Sequence, residues 1–364
     1  MTAAILSIAT ALPEHRLEAR EALEQLRKFF PQLDKLDGAE AGLGVRYTCE
    51  PVADLLTPRG LTDMSKSYLR HARRLAVDSS RQALQEAGMS GHDIDLVISV
   101  SCTGYLVPSL DVHMAEELGL RPDVLRLPIT ELGCSAGAAA IAAAQRHLVG
   151  FPDHKVLVVA VEVPSLSFQR GDRSVDNLTA CLVFGDGAGA AVMGRPDPNR
   201  DRLEVVRTAS YLIPGTAEML GFDLRDGGFH VVLDRRLTRV LGRELKPVLD
   251  RFLAQGMNHP EFYAVHAAGP RIFNEVEAAM GLPAGTLEVS RDVFASVGNT
   301  SSAAIFFALE RLMQMPARRA DGLGLGLGPG ITLELMHLSR VPALVESRPA
   351  RLLNVAATLF PQVE

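Results

Sequence analysis

The sequence predicts a layered α/β fold built from two similar halves, and three observations carry that expectation. Short apolar runs at 3–11, 95–101 and 155–161 read as strands buried on both faces, which requires helices on both sides of a sheet. Helical stripes separate these runs. A similar strand–helix cadence returns after residue 200, without a clean sequence repeat. The 364 residues suffice for two domains or one large duplicated one, and the halves are read as 1–200 and 201–364.

Taken in order, the first strand closes at Pro13, and residues 18–30 form a helix with Leu17, Leu23, Leu26, Phe29 and Phe30 on one face. Val45-Arg46-Tyr47 reads as a strand or loop bearing an exposed arginine. Residues 63–88 form a long helix with Leu69, Ala72, Leu75, Ala76, Ser79, Ala83 and Leu84 as its stripe, ended by Gly88. A helix to Leu118 follows Pro108-Ser109-Leu110-Asp111. The run Phe184-Gly185-Asp186-Gly187-Ala188-Gly189 is a turn entering a strand, which argues against a dinucleotide fingerprint, where a helix would follow. Residues 195–202 form a charged connector. Beyond it come a helix at 235–254, a strand at 262–266, helices at 270–280 and 302–315, and a strand at 331–336 after the Leu/Gly alternation of 323–328. The segment 339–364 is mixed in character and is assigned to the surface or a tunnel wall.

Composition excludes several classes of function. A net charge of −6 argues against a general nucleic-acid binder. No apolar run reaches 18 residues, so no membrane insertion is expected. The four cysteines, Cys49, Cys102, Cys134 and Cys181, lack metal-ligand spacing, so no metal site is expected. Sparse cysteines and an apolar start without a basic region or cleavage site predict a cytoplasmic protein.

Chemistry centres on Leu132-Gly133-Cys134-Ser135-Ala136-Gly137, where a loop enters a small-residue helix. A cysteine in the first turn of a helix meets unpaired N–H groups and positive dipole charge, both of which favour the nucleophilic thiolate. The same local sequence also suits a buried structural thiol. Two further residues sit where strands break into loops. His266 lies in Val265-His266-Ala267-Ala268-Gly269-Pro270, and Asn299 in Gly298-Asn299-Thr300-Ser301-Ser302. Alone, the histidine suits a core position and the asparagine a helix cap. Together with an activated cysteine they suit acyl transfer followed by decarboxylative condensation. Cys134 would hold the acyl group as a thioester, with His266 as its ion-pair partner. His266 and Asn299 would donate hydrogen bonds to the enolate left when carbon dioxide departs. A neutral amide cannot quench that carbanion by giving up a proton. Thiol proteases also use Cys, His and Asn.

The contexts Gly-Cys-Ser-Ala-Gly, His-Ala-Ala-Gly-Pro, Gly-Asn-Thr-Ser-Ser-Ala, Val-Phe-Gly-Asp-Gly-Ala and Gly-Leu-Gly-Pro-Gly-Ile-Thr resemble those of the type III polyketide synthases, the chalcone-synthase-like enzymes, in order and spacing from Arg46 to Glu334. The resemblance implies a thiolase-like αβαβα fold acting as a homodimer. It also implies an acyl-CoA starter loaded on Cys134 and extended by malonyl-CoA, with no cofactor beyond these coenzyme A thioesters. Phe184 matches the family's gatekeeping phenylalanine and Phe229 a second one. Both also suit simple core packing. Cys102, Ser167 and Ser301 match cavity-lining positions. Plant chalcone synthases carry threonine where Cys102 stands and several bacterial relatives cysteine, which implies a bacterial product class. Arg46 and Arg271 match or neighbour positions near the coenzyme A phosphates, and each also suits a solvated surface. Gly326, Gly328, Pro329 and Gly330 match the loop that shapes the cyclisation pocket; the loop lacks the Lys-Ser/Thr of a P-loop. A fatty-acyl starter with an alkylresorcinol or alkylpyrone product is preferred, with phloroglucinol-type and tetrahydroxynaphthalene products from malonyl units alone left open. The competing activity is a single-step ketoacyl-carrier-protein synthase of the III type, and a non-catalytic protein on the same scaffold is a third reading.

Overall fold

The structure is a computed structural model that describes residues 2–30, 44–57, 59–257 and 259–344. Its strands in chain order are β1 (Ala3–Ala11), β2 (His15–Glu18), β3 (Val45–Thr48), β4 (Leu96–Val100), β5 (Leu125–Ile129), β6 (Val156–Glu162) and β7 (Gly187–Gly194), followed by β8 (Arg202–Leu212), β9 (Leu220–Arg225), β10 (Gly228–Leu233), β11 (Phe262–Val265), β12 (Ala320–Gly328) and β13 (Thr332–Val341). Nine of them form one mixed sheet in the order β11-β12-β13-β8-β1-β7-β6-β4-β5.

The two halves repeat one pairing scheme. In the first, β1 runs antiparallel to β7, β7 antiparallel to β6, and β6 parallel to β4. In the second, β8 runs antiparallel to β13, β13 antiparallel to β12, and β12 parallel to β11. The halves join where β1 pairs antiparallel with β8, Ala4 opposite Glu204. The central strands β4, β6 and β7 are buried along their whole length because both faces are covered. Along β6, Val156, Val158 and Ala160 enter one core, while Leu157, Val159 and Val161 enter another. The second core packs under the helices Leu61–Ala87 and Leu110–Leu118. The first is shared by both halves and takes in the small-residue helix Ala136–Gly150 and the helix Ala304–Gln314.

Most predicted elements fall within two or three residues of their expected bounds. The helix Pro270–Met280 matches at both ends, and Gly88 closes Leu61–Ala87 in the left-handed conformation at φ 70°. The charged connector spans the gap between β7 and β8. Several elements were not anticipated: β5, the hairpin β9–β10, and the helices Val175–Val183 and Glu288–Val297. β5 carries Pro128 and exposed leucines, so it lacks the signature of a buried strand. In the mixed segment 339–364, residues through Val341 complete β13, and 345–364 lie outside the described residues.

Phe306 is fully buried in the shared core, against both Gly137 and Gly189. Phe306→Ala should lower stability by about 3–5 kcal/mol in urea unfolding, whereas Leu224→Ala on the exposed hairpin should cost less than about 0.5 kcal/mol.

Candidate active site

Cys134 lies in a single 3-10 turn, Gly133–Ser135, that runs directly into the helix Ala136–Gly150. Glycine makes this placement possible. A Cβ at Gly137 would collide with the carbonyl oxygen of Ser302 and press on Ile305 and Phe306, so the glycine lets the turn and helix of the second half approach this helix closely. On the other side, a Cβ at Gly328 would collide with the side chain of Ser135, and one at Gly326 would press on Ala138. The alternating glycines of β12 thus present a bare face to the turn that carries Cys134. Pro329 abuts Gly133, and Gly330 donates its N–H to the Leu220 carbonyl at 3.2 Å.

These approaches bring distant residues together. The Cys134 sulfur lies 3.2 Å from Ser301 Oγ, which is also 3.4 Å from the Cys102 sulfur. Ser301 adopts φ 51°, unusual for a residue with a side chain, and its N–H donates to Asn299 Oδ1 at 2.9 Å. That bond occupies the amide oxygen of Asn299 and leaves Nδ2 as the group with donors to offer. His266 follows β11 and donates its backbone N–H to the Leu325 carbonyl at 2.8 Å, which places it beside the stretch of β12 that faces the Cys134 turn. Its imidazole is buried, and among the described residues Nδ1 has no hydrogen-bond partner.

Behind the two cysteines lies a fully buried carboxylate that the sequence reading missed. Glu162 accepts from the Cys102 backbone at 3.1 Å, the Cys102 sulfur at 3.3 Å, Thr103 Oγ1 at 2.7 Å and the Ser302 hydroxyl. Tyr68 extends this network through Ser101, donating at 2.6 Å. The available signal was one acid closing an otherwise apolar strand, Val156–Glu162.

Electrostatics here follow from burial. Desolvation pushes the Cys134 thiol up to about 11, with Ser301 opposing and the Glu162 charge adding to the shift. Desolvation alone pushes the His266 imidazole down to about 4. For either group ionising singly, burial therefore outweighs the help expected from the helix terminus. Burial also raises Glu162, against the pull of its donors Ser302, Thr103 and Cys102.

Phe184 and Ser167 line an apolar cavity of about 100 Å³, together with Leu26, Phe168, Cys181 and Phe222. Phe184 is tied to the site through the backbone: it forms a parallel bridge with Asn299. Phe229 does not line the cavity but packs edge-on against Phe222, with centroids 5.9 Å apart. Arg271 is exposed in the first turn of Pro270–Met280, open to an anionic ligand. Arg46 requires correction. It is buried, only 2 % exposed, with Nε and Nη1 bonded to backbone carbonyls, while it lines the same cavity as Phe184 and its buried Nη2 has no hydrogen-bond partner among the described residues. No group of three or more His, Cys, Asp or Glu suited to a metal occurs among the described residues. Nor is any helix among them long and apolar enough to cross a membrane.

Comparison with known proteins identifies the family. Residues 59–198 match the family model for the N-terminal domain of chalcone and stilbene synthases, and 204–342 match that for the C-terminal domain. The chain is 35% identical to a 1,3,6,8-tetrahydroxynaphthalene synthase of Streptomyces griseus, over 90% of each chain. It is 32% identical to a phloroglucinol synthase of Pseudomonas fluorescens, over 89% of this chain and 95% of that one. The crystal structure of the Streptomyces coelicolor tetrahydroxynaphthalene synthase superposes with a TM-score of 0.88 at 34% identity, covering 93% of this chain and 99% of that one. With a thiolase-like fold in two similar halves and matches along nearly its whole length, the chain belongs to the chalcone and stilbene synthase family, the type III polyketide synthases.

Proposed function

We propose that this enzyme loads an acyl group from a coenzyme A thioester onto Cys134, extends it with malonyl-CoA by repeated decarboxylative condensation, and cyclises the chain. The observation that carries the reading is the junction of two turns: Cys134 against Ser301, with Ser301 holding the Asn299 amide oxygen. The family models and relatives set aside the single-step, carrier-protein-dependent alternative.

In the first step the Cys134 proton passes to His266 and the thiolate attacks the starter thioester. Ionised together, the two charges attract, which offsets the burial that penalises each one alone. The C–S bond to coenzyme A breaks, and its thiolate takes the proton from His266. In the second step malonyl-CoA binds with its thioester oxygen facing Asn299 Nδ2 and His266. The bond to the carboxylate breaks, its electron pair forms the enolate, and the donated hydrogen bonds stabilise the new charge. The carbanion attacks the acyl-enzyme, and Cys134 leaves as thiolate. Phe184 and Ser167 border the path of the growing chain, and Cys102 and Ser301 form its inner wall. Phe229 supports the wall through Phe222. The Gly326–Gly330 segment shapes the cyclisation end, and Arg271 binds a coenzyme A phosphate.

We favour a short starter and a small aromatic product over a long-chain alkylresorcinol; the cavity of about 100 Å³ beside Phe184 and Ser167 is not lined by Cys134, His266 or Asn299 and does not size the starter. The names of the relatives, tetrahydroxynaphthalene and phloroglucinol synthases, support the same choice. We further assign the partner to a second copy of this chain. Leu125 and Leu127 on the sheet-edge strand β5, with Leu132 shortly after it, are exposed apolar residues of the kind a homodimer covers. A cytoplasmic setting is supported by four free cysteines. The division of the halves at 200/201 is supported by the connector and by the gap between the two family matches.

Incubation with malonyl-CoA and short acyl-CoA should yield products extended by more than one two-carbon unit; a single extension as the main product would exclude the proposal. Cys134→Ala should abolish acyl loading. Asn299→Ala should load normally yet lose about 100-fold or more in carbon dioxide release from malonyl-CoA. Iodoacetamide labelling of Cys134 should show a midpoint below the ordinary thiol value of ~8.5, moving above it in His266→Gln, where burial acts unopposed. Identical profiles in the two proteins would contradict the ion pair. Leu125→Lys with Leu127→Lys should halve the mass seen by sedimentation; an unchanged mass would count against this dimer face.

A further inference from the structure

The buried Arg46 on β3 has a specific set of partners. Its Nε donates to the Leu182 carbonyl at 3.0 Å, and Nη1 donates to the carbonyls of Phe294 at 3.0 Å and Val45 at 2.7 Å. The cation also sits over the Phe294 ring, 4.7 Å from its centroid. Leu182 is in the last turn of the helix Val175–Val183, and Phe294 in the last turn of Glu288–Val297. The last carbonyls of a helix carry the negative end of its dipole; that of Phe294 also takes the Gly298 N–H at 3.0 Å, so Arg46 is its second donor. One guanidinium therefore caps two helices at once, and the helix ends supply its counter-charge. Burial lowers Arg46 to about 10, so it remains a cation at neutral pH.

The chain leaving each helix gives the arrangement its meaning. The first helix leads into Phe184, and the second into Gly298 and Asn299. These exits are bonded to each other: Asn299 N–H donates to the Val183 carbonyl at 2.9 Å, and Gly185 N–H to the Asn299 carbonyl at 3.1 Å. Gly298 turns at φ 81°, and a Cβ there would stand 2.5 Å from Arg46 Cδ, so the arginine stem occupies the space that glycine leaves.

We propose that Arg46 is a positioning residue for the condensation, clamping two helix ends so that the Asn299 amide and the Phe184 ring are held in register with Cys134. The inference rests on the role given to Asn299 above. Lysine could keep the charge but could not reach both carbonyls, because it lacks the planar fork.

The test uses the full chain with Arg46→Lys, Arg46→Gln, Asn299→Ala and the double variant Arg46→Lys/Asn299→Ala, after circular dichroism has checked folding. Acyl loading of Cys134 is followed by intact mass and decarboxylation by carbon dioxide release. Arg46→Lys should load within about threefold of wild type, keep its KM for malonyl-CoA within about threefold, and lose about 10- to 100-fold in kcat for decarboxylation, the size of effect that a small misplacement produces. Arg46→Gln should lose at least as much. Adding Arg46→Lys to Asn299→Ala should cost nothing further, because the two substitutions then remove one and the same contribution. The proposal is overturned if Arg46→Lys decarboxylates at the wild-type rate, if loading falls in step with decarboxylation, if the loss persists in the Asn299→Ala background, or if neither Arg46 variant folds. Undiminished carbon dioxide release by Asn299→Ala would overturn the role of Asn299 and this proposal with it.

Discussion

The active site depends on the close approach of two central helices, one from each half of the chain. Gly137 lets Ala136–Gly150 rest on the Ser302 carbonyl, and a side chain there would force the halves apart. The contact sets the distance between Cys134 and Ser301, and through Ser301 the orientation of Asn299. Backbone meeting backbone leaves little freedom, which is how residues more than 160 positions apart in sequence keep a hydrogen-bonding geometry. The glycine face of β12 serves the same end from the opposite side.

Around that contact the polar groups divide into two populations. Glu162 is saturated with donors from Cys102, Thr103 and Ser302, so it rigidifies the floor beneath the sulfur. His266 Nδ1, the Ser167 hydroxyl and the Thr300 hydroxyl have no hydrogen-bond partner among the described residues. Buried polar groups left in this state normally cost stability. The same state recurs at Ser80, at Arg46 Nη2 and at His337 Nε2, so it is not confined to the proposed reaction path.

The fold class was legible because strands covered on both faces must be apolar at every position, and Val156–Val161 could hardly be anything else. Cys134, His266 and Asn299 could be picked out because each stands where a regular element breaks beside glycine. The rest was hidden for physical reasons. Arg46 looks like a surface residue in sequence, since nothing local announces that its acceptors are carbonyls 136 and 248 positions away. Glu162 was concealed for the same reason, its donors lying on separate segments of the chain. The hairpin β9–β10 and the helix Glu288–Val297 are short, and tertiary contacts rather than strong local patterns stabilise them.

The bare face of β12 has a consequence for how such an enzyme diversifies. With no side chains there to trade, mutation has nothing to vary on that wall without dislodging the sulfur itself. New starter or ring preferences would have to arise on the facing surfaces, in the short turn Pro164–Ser167 and on the hairpin residues Phe222 and Val231, which border the cavity without carrying the nucleophile. Chemistry and selectivity are thereby inherited on different walls, and one can drift while the other stays fixed.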